Sequence, residues 1–218
     1  MMKKGAITGI LCMCLLLAGC GSNDGSNSGS NDGNNETDME ASSFLEIKKD
    51  GSVIETIVED FSGEYYEEEE LKNFIMSEVA DFNNTSDLDK ISVEQFENKD
   101  GVIHVKIVYP SVLSYAAYNS DEYNSKTLFF GTVAEAYDAG MELDVTLTDG
   151  KDQEKTIGKE ELLGMGDSHI LISEEPVAVK VFGRIAYVSE NVSVTGKNKA
   201  VMNIGEEGDL SDRWYIVF

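Results

Sequence analysis

The stretch Asn98-Lys99-Asp100-Gly101-Val102-Ile103-His104-Val105-Lys106-Ile107-Val108-Tyr109 sets the fold class. Asp-Gly between extended runs is the pair that a two-residue hairpin turn demands, because both turn positions take positive φ. Beyond the turn, Ile103, Val105, Ile107 and Tyr109 fall on one face and Val102, His104, Lys106 and Val108 on the other, the period of a half-buried strand. Pro110 stops it. A hairpin is therefore expected over residues 91–109, with Ile91 at its start.

The same punctuation recurs at Asp50-Gly51, between strand-like residues 45–49 and 53–58, and at Asp149-Gly150. Before the latter, Met141, Leu143, Val145 and Leu147 alternate without error with Glu142, Asp144, Thr146 and Thr148, which predicts a strand over 141–148. Residues 66–82 carry Leu71, Phe74, Ile75, Val79 and Phe82 at helical spacing behind the acidic run Glu67 to Glu70, with Asn83-Asn84 as the stop. Short helices are expected at 111–119 and at 132–139, where Thr132 and Glu135 form a capping box and Gly140 ends the helix in a left-handed conformation. Residues 160–163 fit one helical turn. Residues 169–173, 177–182, 185–189, 192–195, 200–204 and 214–218 read as strands. The expected fold is α+β: mostly antiparallel β hairpins, two or three amphipathic helices and a β-rich C-terminal half. Asp-Gly pairs at 50, 100 and 149 raise a ββα repeat of about 50 residues, but no side-chain pattern repeats around them and common turn chemistry is the better explanation.

Upstream, Lys3 and Lys4 precede the uncharged, mostly apolar residues 6–18, which end in Leu17-Ala18-Gly19-Cys20. That run is shorter than the ~20 apolar residues needed to span a bilayer, and small residues close it, as at a secretory cleavage site. Over residues 1–21 the chain resembles the precursors of bacterial lipoproteins. The resemblance implies cleavage before Cys20, a diacylglyceryl group on its sulfur and an extracytoplasmic location at the cell membrane, anchored but not spanning. Residues 1–19 would be the signal peptide. Cleavage also removes Cys12 and Cys14, leaving no pair for a disulfide. Residues 20–43 hold the lipidated cysteine and a tether of Gly, Ser, Asn, Asp and Glu that cannot repay the entropy of folding. The acidic globular part is expected over 44–218.

The chain has 17 basic and 41 acidic residues, a net charge of −24, and loss of residues 1–19 removes two lysines and no acids, carrying it to −26. Such a field disfavours nucleic acid and favours cationic partners or divalent ions. Further into the chain, Glu59-Asp60-Phe61 with Tyr66 and Leu71, residues 115–119, Phe130-Gly131-Thr132-Val133, and Val188-Ser189 with Asn191-Val192 resemble small uncharacterised lipoproteins of gut Firmicutes. That resemblance implies no activity and no functional residue.

No catalytic set emerges. Asp167-Ser168-His169 contains the residue types of a hydrolytic triad, but neighbours on a strand point to opposite faces and cannot converge. His104 and His169, with no free cysteine, offer no zinc spacing. Asp149-Gly150-Lys151-Asp152 and residues 208–212 carry oxygens suited to calcium without the spacing of a calcium loop. No cofactor is expected. The one suggestive patch is Tyr109, Tyr115, Tyr118 and Tyr123, interleaved with Asn119, Ser120, Asp121, Glu122 and Asn124. Aromatic faces with short polar groups suit a saccharide, and Tyr115, Tyr118, Asn119 and Tyr123 are the candidate ligand residues; packing of the same rings against the sheet is the competing reading. The expected function is a non-enzymatic, lipid-anchored module that binds a ligand such as a saccharide or a surface protein. The alternative is a wall- or glycan-directed hydrolase using carboxylates that the sequence does not pair.

Overall fold

The computed structural model describes residues 42–63, 67–120, 127–202 and 213–218. Cys20, the tether up to residue 41, Tyr66, Tyr123 and the turn 208–212 lie outside them, while Ser43, at the end of the expected tether, exchanges hydrogen bonds with the backbone of Val58 in β2.

In chain order the elements are β1 (Phe44–Ile47), β2 (Val53–Asp60), α1 (Glu68–Thr85), β3 (Ser92–Lys99), β4 (Val102–Tyr109), α2 (Val112–Asn119), β5 (Leu128–Thr132), α3 (Val133–Asp138), β6 (Leu147–Asp149), β7 (Thr156–Ile157), α4 (Lys159–Gly164), β8 (His169–Ser173), β9 (Ala178–Val181), β10 (Tyr187–Val188), β11 (Val192–Gly196), β12 (Lys199–Met202) and β13 (Trp214–Val217). They build a seven-stranded sheet, β11-β12-β9-β1-β2-β4-β3, and a six-stranded sheet, β5-β8-β13-β10-β6-β7. Every pairing is antiparallel except that of β1 with β9. The α+β class and its antiparallel character stand as expected from the hairpin punctuation.

The reason for two layers is on the faces. In the first sheet Leu45, Ile47, Val53, Ile57, Ile103, Val105, Ile107, Tyr109 and Val179 share the buried side. They pack against α1 through Ile75 and Val79, and against Leu171, Trp214 and Ile216 of the second sheet. The other side of the second sheet presents Ile170, Ile172, Tyr215 and Val217 to Val133 and Ala136 of α3 and Leu162 of α4, forming a second core. The second sheet is thus apolar on both faces, which is why β8 and β13 read as continuous apolar runs rather than alternating ones.

Local chemistry behaves as written in several places. Asp100 and Gly101 both take positive φ, 53° and 84°. The capping box of Thr132 and Glu135 forms, and Gly140 sits at φ 73°. Ser111 caps α2 through its hydroxyl on the Ser114 N–H. All three Asp-Gly pairs join antiparallel strands that lead into a helix: β1-β2-α1, β3-β4-α2 and β6-β7-α4.

Elsewhere the expectation fails. Only Leu147–Asp149 pairs as a strand in the perfectly alternating run 141–148. Leu143 and Leu147 are buried while Glu142, Asp144 and Thr146 are exposed, so the alternation is real, but over 141–146 it reports one-sided burial and not a ladder. Local contacts occupy this backbone: the Met141 N–H reaches Ala136 O, the Asp144 N–H reaches Glu142 Oε1, and Tyr215 Oη donates to Glu142 O. At the first turn only Gly51 has positive φ, because the loop closes through Gly51 N–H to Lys48 O and Lys48 N–H to Ser52 O rather than as a two-residue turn. Helix α1 runs through Asn83-Asn84 to Thr85, since the Asn83 amide exchanges two hydrogen bonds with the backbone of Ile91 instead of breaking its own helix. Strands β5 and β7 were not expected at all. No helix among the described residues is long and apolar enough to cross a membrane.

Candidate functional site

Strand β2 reads Val-Ile-Glu-Thr-Ile, and the register that buries Val53 and Ile57 puts Glu55 on the same inward face, between Leu45 of β1 and Ile107 of β4. A carboxyl group among apolar neighbours needs a donor. Tyr109, at the end of β4, supplies it: its hydroxyl donates to Glu55 Oε2 at 2.6 Å. Burial, partly offset by this bond and reinforced by the charge of Glu175, pushes the Glu55 carboxyl up to about 7. Burial and the facing Glu55 carboxylate push the Tyr109 phenol well above its usual range, and burial with Glu55 and Glu78 raises Tyr118 to about 12.

Helix α2 closes this cluster. The ring of Tyr115 meets Tyr109 edge-on at 5.2 Å, and its hydroxyl donates to Glu175 Oε2 at 3.1 Å. Tyr118 lies 5.8 Å from Tyr109 and stands edge-on to Phe82 of α1 at 5.5 Å. Glu175 is held at the end of β8 by exchange between its backbone and the Ser173 hydroxyl. Ser173 is paired in register with Trp214, whose indole Nε1 is buried without a hydrogen-bond partner. A continuous seam, Glu55–Tyr109–Tyr115–Glu175–Ser173–Trp214, therefore runs between the two sheets.

Of the residues expected to bind ligand, Tyr115 is only 4% exposed and Tyr118 is half-buried, both turned into this seam. Asn119 is also half-buried and donates to Tyr115 O within its own helix. Tyr123 falls outside the described residues. The structure thus brings together the packing half of that expectation, with two glutamates the sequence did not single out. Their signal was present for Glu55: it is the acid in phase with Val53 and Ile57. Glu175 sits in a loop and carried none.

His169 opens β8, where its ring stacks on Phe130 at 5.6 Å and Phe218 at 5.9 Å, with Phe182 edge-on at 5.0 Å. Its ring is thus packed within a cluster of three phenylalanines. Asp149 accepts the N–H groups of Lys151 and Asp152, which holds its carboxyl below the usual range and makes this stretch an Asx-type turn. Among the described residues no group of His, Cys, Asp and Glu is arranged to hold a metal ion.

Among the described residues an open groove lies between the sheet edges. A groove of about 600 Å³ separates β11 from β6 and β7. Its apolar wall is Val192 and Val194 of β11 with Val188 of β10, and Thr148, Thr156 and Gln153 furnish hydroxyl and amide groups opposite. Asp149, Lys151 and Glu190 carry charge along it. Uncharged donors and acceptors over an apolar wall suit a ligand bound by hydrogen bonds and contact area rather than by chemistry on a reactive group. Searches against protein-family models, curated proteins and solved structures gave no match.

Proposed function

We propose that this protein is a lipid-anchored, extracytoplasmic binding module that displays the β11–β6–β7 groove from a membrane surface. The observation that carries the reading is the contrast between its two polar features. In the interior seam the Tyr109, Tyr115, Glu55 and Glu175 side chains are engaged with one another, whereas the groove presents hydroxyl, amide and valine groups around a volume that admits a ligand. The anchoring half rests on Leu17-Ala18-Gly19-Cys20 and on the acidic tether behind it.

Both halves are testable. Cys20→Ser should move the protein from the membrane fraction to the soluble fraction and abolish incorporation of labelled fatty acid; unchanged partition refutes the anchor. For the groove, thermal unfolding of the full chain in detergent is followed against wall and dietary saccharides, short peptides and calcium. A ligand at 100 times its Kd adds about 2.7 kcal/mol, a readable rise in melting temperature. Loss of that rise in Thr148→Trp, which fills the groove, assigns the site, and an undiminished rise removes it.

A second reading draws on one observation: two glutamates near enough for Glu175 to raise the Glu55 carboxyl, which approaches the acid-and-base pairing of a glycan hydrolase. Its test is turnover of cell-wall glycan that vanishes in Glu55→Gln and Glu175→Gln. The binding reading is preferred because Glu55 is held by Tyr109 inside the main apolar core.

A further inference from the structure

The first sheet has two faces, and among the described residues the helices and the second sheet pack on one of them. α1 and α2 meet its inward face through Ile75, Val79 and Tyr115, while α3 and α4 pack on the far side of the second sheet. On the outward face one row runs Phe44, Thr56, Lys106 across β1, β2 and β4, and the next runs Lys180, Glu46, Ile54, Val108 across β9, β1, β2 and β4. Val58 and His104 stand opposite one another in the row beyond. Phe44, Ile54, Val58 and Val108 are half-buried by their neighbours, yet they belong to neither apolar core.

The same face gathers positive charge on an acidic chain. Lys48 and Lys180 share the carboxylate of Glu46, at 2.9 and 3.3 Å. Lys106, between Thr56 and Gln95 in register, has no ion-pair partner among the described residues. Glu97 is engaged with Lys99 at 2.9 Å, and Lys199 stands opposite Lys180 in register. Lys48, Lys99, Lys106, Lys180 and Lys199 thus outnumber Glu46, Asp60 and Glu97, although the chain as a whole has 17 basic and 41 acidic residues. At physiological ionic strength a charge acts over about 8 Å, so a surface brought to this face meets its lysines and not the acids behind the sheet.

Resting on the reading of Cys20 as a lipid anchor, we infer that the outward face of the first sheet docks on an anionic lipid surface, with Lys48, Lys106 and Lys180 at the headgroups. Two observations choose a bilayer over a soluble polyanion. Phe44, Ile54, Val58 and Val108 stand between the lysines and offer contact area that a headgroup boundary can use, while lysine stems lie along such residues and carry the ammonium groups outward. The chain from Cys20 also enters the fold here, because Ser43 is bonded to the Val58 backbone and Phe44 is the first residue on the face. A Gly- and Ser-rich chain as long as residues 20–43 spans about 25 Å, so docking is an intramolecular event in which weak attraction per lysine suffices. With this face down, α3 and α4 point away from the membrane and the groove between the sheet edges stays open to solvent.

The test places the lipidated full chain in phosphatidylcholine vesicles, with and without about a third of phosphatidylglycerol, and follows acetylation of its lysines by mass spectrometry. One lysine drawn to an anionic surface is worth about fivefold in population. Lys48, Lys106 and Lys180 should therefore react about fivefold or more slowly on the anionic vesicles, while Lys151 and Lys155, on the second sheet's β6–β7 turn, stay within about twofold. High salt should erase the difference. Lys106→Gln combined with Lys180→Gln should relieve the protection of Lys48 without moving the melting temperature. Equal labelling on both vesicles, or uniform slowing of every lysine, overturns docking, while a chain that stays with the vesicles in high salt keeps the anchor. Equal protection by soluble polyglutamate overturns the lipid surface as the partner. Release of the wild type by high salt removes the anchor, and labelling at low salt then still decides the face.

Discussion

Replacing Glu55 by Gln removes an ionisable group from the inward face of β2 while keeping an oxygen to accept from Tyr109. The Glu55 carboxyl is raised from an ordinary 4.5 to about 7, mainly by burial. The sign follows from linkage: the folded state holds the proton more tightly than the unfolded one, so this contribution is complete below pH 4.5 and is lost as pH rises to 7. At 1.36 kcal/mol per pH unit, the loss over that interval is at most about 3 kcal/mol, because Glu55 retains some solvent contact. In a domain of this size it corresponds to a fall of about 6–12 °C in melting temperature. Repulsion among the other acids also grows with pH, but it is common to both proteins and cancels in the comparison. The assay is urea unfolding of wild type and Glu55→Gln from pH 4.5 to 8. The absolute offset between them includes the cost of burying an amide and decides nothing; the pH dependence does. The wild-type minus variant stability should fall by about 3 kcal/mol across the interval and flatten above pH 7. Parallel curves would refute the placement of an ionisable carboxyl in the apolar layer. Glu175→Gln sharpens the test, since removing the neighbouring negative charge should shift the step to lower pH.

Three further outcomes follow from single contacts. Trp214→Phe removes a buried donor that has no acceptor, so the lost indole contacts are offset by about 1–3 kcal/mol of relieved desolvation; urea unfolding should show a change well below the 3–5 kcal/mol of a large aromatic truncation. Asn83→Ala leaves the N–H and C=O of the buried Ile91 without their side-chain partner and should cost about 1–3 kcal/mol, with faster hydrogen exchange at the Ile91 amide. Gly101→Ala forces a Cβ onto φ 84° at the β3–β4 turn and should cost about 1 kcal/mol or more in thermal unfolding, whereas Gly164→Ala, with open space and no positive φ, should be neutral or mildly stabilising.

What was legible in the sequence was whatever a single period or a single turn decides. Asp100-Gly101 has one economical conformation between two strands, and the alternation after it has one buried face, so the β3–β4 hairpin could be read directly. The run 141–146 shows the limit of the same logic. Its alternation is as clean as that of β4, but a strand needs a neighbour as well as a face, and the neighbour is set by how distant segments stack. Strand β5 was missed for the converse reason: it is recognisable only through its register with β8, about 40 residues away, which no local pattern encodes.

The candidate site divides along the same line. Glu55 was visible in principle, as the one acid in phase with Val53 and Ile57, and a polar residue at an inward position is where a sequence departs from its own folding rule. Its partner Tyr109 lies 54 residues away and Glu175 in a loop, so the seam exists only once β2, β4 and α2 are brought together. The groove is less legible still, because it belongs to no segment: it arises where two sheets of unequal extent stop at different places. Thr148 and Thr156 look like ordinary outward residues of short strands, and β11 like any other edge. Their joint placement comes from where the two sheets stop relative to one another, which no local pattern in β6, β7 or β11 encodes.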